Sequence, residues 1–312
     1  MTEDIKSKII DVHQHCFPPE YKAVLDECDI KVAAMMNAPI PNWSLESHLE
    51  GMDEAGIATG ILSITGGFIY SSPLTRKCNE YFARIVSNYP NRLGAFAALP
   101  FPDVDAALEE IEYAMDVLNL YGVGMVTNVQ GHYLGDPEYE AIFDELNRRK
   151  AVVCIHPNDP PYGYLGKVRV PWAMIEFPLE TSRTVGYMLH GGTFERCPDI
   201  KFILPHAGGA IPFVAERYAD LGRKIWLLKY LQSQYYDTSG SANRFALRSL
   251  QELVEPSNIL FGSDFGMQAG DSTLAQMAIK SLRDYDGFDK ETLVKIERGN
   301  ALEIFPRLKS LK

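Results

Sequence analysis

Basic residues are in the minority: 30 Lys and Arg stand against 41 Asp and Glu, a net charge of −11. A surface of that sign repels the phosphates of nucleic acid and the anionic face of a membrane. No basic stripe with interleaved aromatics offsets it, so neither is expected as a partner. Cysteine is scarce: Cys16, Cys28, Cys78, Cys154 and Cys197 are scattered, odd in number and form no Cys-x-x-Cys pair. This argues against a disulfide framework and suits reduced thiols in the cytoplasm. The opening residues, Met1-Thr2-Glu3-Asp4-Ile5-Lys6, hold no apolar signal-peptide core, and no apolar run approaches membrane-spanning length. Gly- or Ser-rich linkers and low-complexity segments are missing as well. No Gly-x-Gly-x-x-Gly follows the first strand, which removes the main sign of a doubly wound dinucleotide-binding sheet.

The 312 residues are 46% hydrophobic, enough for a large core. Short apolar runs alternate with helical patterns along the whole chain. Strands are expected around 9–15, 57–64, 93–98, 122–127, 151–155, 201–204, 235–238 and 258–261. Helices are expected between them, among them 44–55, 79–89, 105–121, 136–149, 180–189, 212–221, 245–254 and 274–284, with a closing helix over 290–304. Eight strands in this alternation predict an α/β fold, one (β/α)8 barrel spanning 1–312. Residues 16–43 form a Pro-rich excursion after the first strand. A loop this long is commonly functional, and Met35, Met36 and Trp43 would suit an apolar pocket wall.

Polar residues collect at the strand ends. His13 and His15 close Ile9-Ile10-Asp11-Val12-His13-Gln14-His15, and their spacing puts both on one face of a strand. His156 follows Val152-Val153-Cys154-Ile155. His206 follows Phe202-Ile203-Leu204-Pro205, and Asp264 follows Ile259-Leu260-Phe261-Gly262-Ser263. All strand ends of a barrel meet at one mouth, so five distant residues are expected to converge there. Their N and O donors suit zinc or a similar divalent ion. The other histidines read as structural: His48 on a helix face, His190 at a helix C-terminus, and His132 several residues past a strand end.

With these stretches in hand, the chain resembles the amidohydrolase superfamily, in the branch of aminocarboxymuconate-semialdehyde decarboxylase and related aromatic acid decarboxylases. Val170-Pro171-Trp172, Pro178-Leu179-Glu180-Thr181, Gly191-Gly192-Thr193-Phe194-Glu195-Arg196-Cys197-Pro198, His206-Ala207-Gly208-Gly209 and Gly299-Asn300-Ala301 add to the likeness, which runs nearly end to end. The resemblance implies one divalent metal, zinc or manganese, held by His13, His15, His156 and Asp264, with His206 as an acid/base and Asp264 also catalytic. No lysine follows the fourth strand, where related two-metal hydrolases often carry one, and this supports a single ion. Arg217 matches an arginine that binds a substrate carboxylate across a subunit boundary, which implies a homodimer. Trp172 and Trp43 are candidates for the substrate pocket. One departure bears on the substrate: residues 16–50 hold no arginine, whereas the semialdehyde decarboxylase carries a second carboxylate-binding arginine in that loop. A monocarboxylate of the hydroxybenzoate type fits better than a dicarboxylate. The implied activity is metal-dependent, non-oxidative decarboxylation of a small aromatic or unsaturated carboxylic acid. Hydrolysis of a lactone or ester, or hydration, is the alternative on the same residues.

Overall fold

The computed structural model describes residues 8–27, 32–33, 38–39, 42–64, 71–161, 170–220, 225–267 and 270–309. Eight parallel strands form one sheet in sequence order: β1 (Ile9–His15), β2 (Ile57–Ser63), β3 (Leu93–Ala97), β4 (Gly122–Val126), β5 (Val152–His156), β6 (Lys201–Leu204), β7 (Tyr235–Asp237) and β8 (Ile259–Leu260). The segment after β8 closes the sheet onto β1. Val12 N–H donates to the Phe261 carbonyl (3.0 Å), Asp264 N–H to that of His13 (3.0 Å) and His15 N–H to that of Phe265 (2.7 Å). The fold is the expected (β/α)8 barrel.

Ile10, Val12, Ile61, Phe96, Val152, Cys154, Ile203 and Leu260 fill the barrel interior, where Phe305 and Leu308 join them. The opposite strand faces pack against the surrounding helices in a larger apolar layer. Those helices include α1 (Leu45–Ala55), α2 (Ser72–Asn88), α3 (Val104–Glu112), α4 (Glu140–Arg148), α5 (Trp172–His190), α6 (Ile211–Asp220), α7 (Arg244–Leu253) and α8 (Thr273–Arg283). Ser44 caps α1 by accepting from Ser47 N–H, and Gly56 ends it in the left-handed region at φ 74°.

Several boundaries differ from expectation. α2 and α5 begin seven or eight residues early, α5 with Pro178 inside it. The long helix expected over 105–121 is α-helical only to Glu112 and continues as a π-turn, Tyr113–Val117. The closing helix likewise splits around a π-turn at Lys295–Gly299. A short helix, Pro19–Glu27, occupies part of the stretch expected to be irregular. Met35 and Met36 lie outside the described residues.

Candidate metal centre

The first functional pair arises from an irregularity in β1. Strict alternation would put His13 and His15 on the face opposite Ile10 and Val12. The pairing of β1 with β2 slips between Asp11 and Gln14, and both histidines reach the inner side above Ile10 and Val12. On β5 the alternation is regular: Val152 and Cys154 point into the barrel, and His156 continues their row at the mouth. His206 and Asp264 come from the segments after β6 and β8, both in left-handed backbone, at φ 56° and 67°. For residues other than glycine this costs on the order of 1–3 kcal/mol and persists only where the surroundings enforce it. Gly266 lets the loop after Asp264 reach β1: a Cβ there, at φ 106°, would stand 2.1 Å from the His15 carbonyl oxygen.

The five expected residues converge. His13 Nε2 and His15 Nε2 are 3.2 Å apart. Asp264 Oδ1 lies 2.6 Å from His15 Nε2 and 3.3 Å from His13 Nε2. The His156 ring centroid is 5.2 Å from that of His13 and 5.0 Å from that of His15. One ligand atom from each of His13, His156, His206 and Asp264 can be chosen within 4.8 Å of the others. His206 therefore belongs to the same cluster, but it faces the other carboxylate oxygen: its Nε2 is 3.9 Å from Asp264 Oδ2. The imidazoles are almost fully enclosed, whereas the Asp264 side chain is 37% exposed at the mouth.

This donor set fits a divalent ion. His13 Nδ1 lies 2.8 Å from Asp237 Oδ2, and His156 Nδ1 is 2.7 Å from the Pro157 carbonyl oxygen. Each contact assigns the ring proton to Nδ1 and turns a bare Nε2 toward the others, the pattern of a metal-ligating histidine with an outer partner. Nitrogen lone pairs and a carboxylate oxygen pressed this close repel one another without positive charge between them. Burial disfavours a charged His13, but the Asp237 and Asp264 carboxylates prevail and hold its pKa up at about 10, so without an ion a second proton occupies the Nε2 position that an ion would claim. Burial pushes His156 well below its ordinary value, and the neighbouring imidazoles add to this. For Asp264, burial works to raise the carboxyl, yet its hydrogen bonds to His13 and His15 keep it well below the usual range. Burial also lowers His206, against the pull of Asp264, so its ring is neutral near pH 7 and able to take a proton.

Behind the centre runs a buried polar chain that sequence reading did not find. Trp43 Nε1 donates to His48 Nδ1 (3.1 Å), and His48 Nε2 to Gln14 Oε1 (3.0 Å). Gln14 Nε2 donates to Asp11 Oδ2 (2.9 Å), and Asp11 also accepts from the N–H of His13 and of Ser263, each at 3.1 Å, and from Ser263 Oγ. Asp11 thus ties the strand bearing His13 to the loop bearing Asp264. Trp43 is buried with its one polar atom bound to His48, while Trp172 is half-buried at the start of α5. Arg217 is exposed on α6 and has no ion-pair partner among the described residues. His132 stands on the surface 2.8 Å from Glu138. Asp237 was missed altogether; the signal available was the one that revealed Asp264, a carboxylate at a strand end.

His48 gives a test of this chain. Burial, with His15 adding, pushes its pKa down to about 3. Between that value and the ordinary 6.5 the unfolded protein binds a proton that the folded protein refuses. Stability therefore falls as pH drops through this window, by up to about 1.4 kcal/mol per pH unit from this group. In urea titrations at pH 6, 5 and 4, His48→Asn should lose less stability across the series than the wild type. Parallel losses would show that His48 is not held neutral.

Fold and site together define a (β/α)8 barrel with a mixed imidazole and carboxylate cluster, a candidate metal site, at its mouth. A family model described as amidohydrolase matches residues 10–307, and the chain belongs to that family. The 6-methylsalicylic acid decarboxylase of Penicillium expansum is 34% identical over 321 residues, with 97% of each chain covered. The 2-amino-3-carboxymuconate-6-semialdehyde decarboxylase of Dictyostelium discoideum is 25% identical, covering 96% of this chain and 91% of the relative. A solved amidohydrolase II superposes with a TM-score of 0.88 at 28% identity, covering 96% of this chain and 99% of that one. The branch indicated by the motifs is thus represented among its relatives. Among the described residues no helix is long and apolar enough to cross a membrane.

Proposed function

We propose that this enzyme is a metal-dependent carboxy-lyase acting on a small aromatic carboxylic acid, a hydroxybenzoate of the salicylate type. The observation that carries the reading is the convergence of His13, His15, His156 and Asp264 around one point, with His206 facing the second oxygen of Asp264. In this reading the first four hold zinc, with manganese as the alternative. The ion supplies fixed positive charge that can anchor a carboxylate or phenolate oxygen of the substrate.

The chain's own residues do the rest. Decarboxylation breaks the bond between ring and carboxyl carbon, releases CO2 and leaves the bonding pair on the ring, where a proton must replace the lost group. His206 delivers that proton at the mouth, and the Asp264 carboxylate beside it favours the protonated ring. Trp172 lines the apolar side of the pocket, and Trp43 backs it from within. The 34% identical relative acts by its name on 6-methylsalicylic acid, a monocarboxylate with one hydroxyl, and the loop without arginine agrees with a single substrate carboxylate.

Arg217 binds that carboxylate from a second copy of the chain, so the enzyme works as a homodimer. Phe213, one helical turn earlier on α6, is 85% exposed, and Phe245 on α7 is 75% exposed. Large exposed rings, and a guanidinium with no ion-pair partner among the described residues, fit a contact between subunits. Arg217→Ala should raise KM for the acid by about 10–100-fold, the worth of a charge-assisted hydrogen bond. Unchanged kinetics would return Arg217 to the surface. The direct test is a panel of salicylate, 6-methylsalicylate and 2,6-dihydroxybenzoate with Zn- or Mn-loaded enzyme, following CO2 and the decarboxylated phenol. No release from any of them, together with turnover of lactones, would select hydrolysis instead.

A further inference from the structure

Asp237 is fully buried at the end of β7 and engages four donors with its two oxygens. Oδ2 lies 2.8 Å from His13 Nδ1. Oδ1 accepts from His206 N–H (3.0 Å), Ser239 N–H (2.9 Å) and Ser239 Oγ (2.5 Å). Ser239 Oγ also stands 3.0 Å from His13 Nδ1. One carboxylate therefore spans two functional groups brought in by different strands, the ring of His13 on β1 and the backbone of His206 after β6. The approach is tight: a Cβ on Gly262 would fall 2.9 Å from His13 Cβ and 3.0 Å from Asp237 Cγ.

We propose that Asp237 is a positioning residue that sets both groups at once, fixing His13 in the tautomer with a bare Nε2 and anchoring the left-handed segment that presents His206. The inference rests on the metal-centre reading above. It depends on both oxygens being acceptors, because every group they face is a donor. An asparagine there must fail at one end. With its oxygen toward His13, its amide N–H2 meets the His206 and Ser239 N–H groups, two donors that have no other form. With its N–H2 toward His13, one donor is opposed, and that ring can respond by moving its proton from Nδ1 to Nε2. The second arrangement costs less, and it blocks the atom a metal needs.

The test is metal affinity in Asp237→Asn, which requires no knowledge of the substrate. Zinc binding is measured by competition with a chromophoric chelator, and the cobalt-substituted protein is followed by its visible absorption. Asp237→Asn is expected to bind zinc about 10–100-fold more weakly, as loss of an outer partner does elsewhere, and to shift the cobalt bands. Wild-type affinity in Asp237→Asn would overturn the inference while leaving the metal centre intact. A wild type that binds no divalent ion would instead overturn the centre, and this inference with it. Should Asp237→Asn not fold, the zinc-loaded wild type decides through its histidine 15N spectrum: His13 must carry its proton on Nδ1, and a proton on Nε2 refutes the proposal.

Discussion

Replacement of His206 by alanine is expected to leave the zinc content close to that of the wild type and to lower turnover of a hydroxybenzoate by about 10²–10⁴-fold, the usual worth of a positioned acid/base group. The geometry separates the two readouts. His13 Nε2, His15 Nε2 and Asp264 Oδ1 face one another at 2.6–3.3 Å. His206 stands off at 3.9 Å from the opposite oxygen, Asp264 Oδ2. Its Nδ1 is buried without a hydrogen-bond partner among the described residues, so Nε2, the atom near Asp264, is the one placed to transfer a proton. Burial keeps the ring neutral below its ordinary pKa, and a neutral ring near pH 7 can accept a proton in one half of a cycle and return it in the other. Metal analysis and turnover on the same sample settle the matter. Full activity in His206→Ala removes it from the mechanism, and loss of the metal makes it a ligand.

His156→Ala should have the reverse signature, with the metal lost and activity lost as a consequence. His156 reaches the centre from β5, across the barrel from the β1 pair, and no other imidazole approaches from that side except His206. Its Nδ1 is committed to the Pro157 carbonyl oxygen, so the Nε2 that alanine removes is a bare donor. Burial and the adjoining rings hold it neutral, as a ligand must be. Zinc affinity should fall by more than the 10–100-fold that loss of an outer partner costs, measured against a chelator, with thermal unfolding of the metal-free proteins as the control for folding. Stoichiometric zinc bound at wild-type affinity would exclude His156 from the ligand set.

Much of this centre was legible because the signals are local. An apolar run ending in a polar side chain marks a strand end, and barrel topology makes all such ends neighbours; His13, His15, His156, His206 and Asp264 follow from that alone. Asp237 carries the same mark at the end of Tyr235-Tyr236-Asp237. Its strand is only three residues long, though, and nothing nearby in the chain tells of His13 or of the His206 amide. Trp43 and His48 were readable as a tryptophan in a loop and a histidine on a helix face. Their joint path to Asp11 needs α1 folded back onto β1. The start of α5 was not legible: a helix was expected from residue 180, whereas it runs from Trp172 with Pro178 inside it.

The sequence by itself determined the alternation of strands and helices, the barrel and the donors at its mouth, because period, apolar content and strand-end chemistry are properties of neighbouring residues. Only the tertiary structure decided which face those donors occupy. The slip in pairing between Asp11 and Gln14 turns His13 and His15 inward. Which outer partner orients His13, and which oxygen of Asp264 meets which histidine, are likewise set across the closed sheet. His13 and Asp237 are 224 residues apart and His15 and Asp264 are 249 apart, and their contacts are governed by hydrogen-bond geometry that no local pattern encodes.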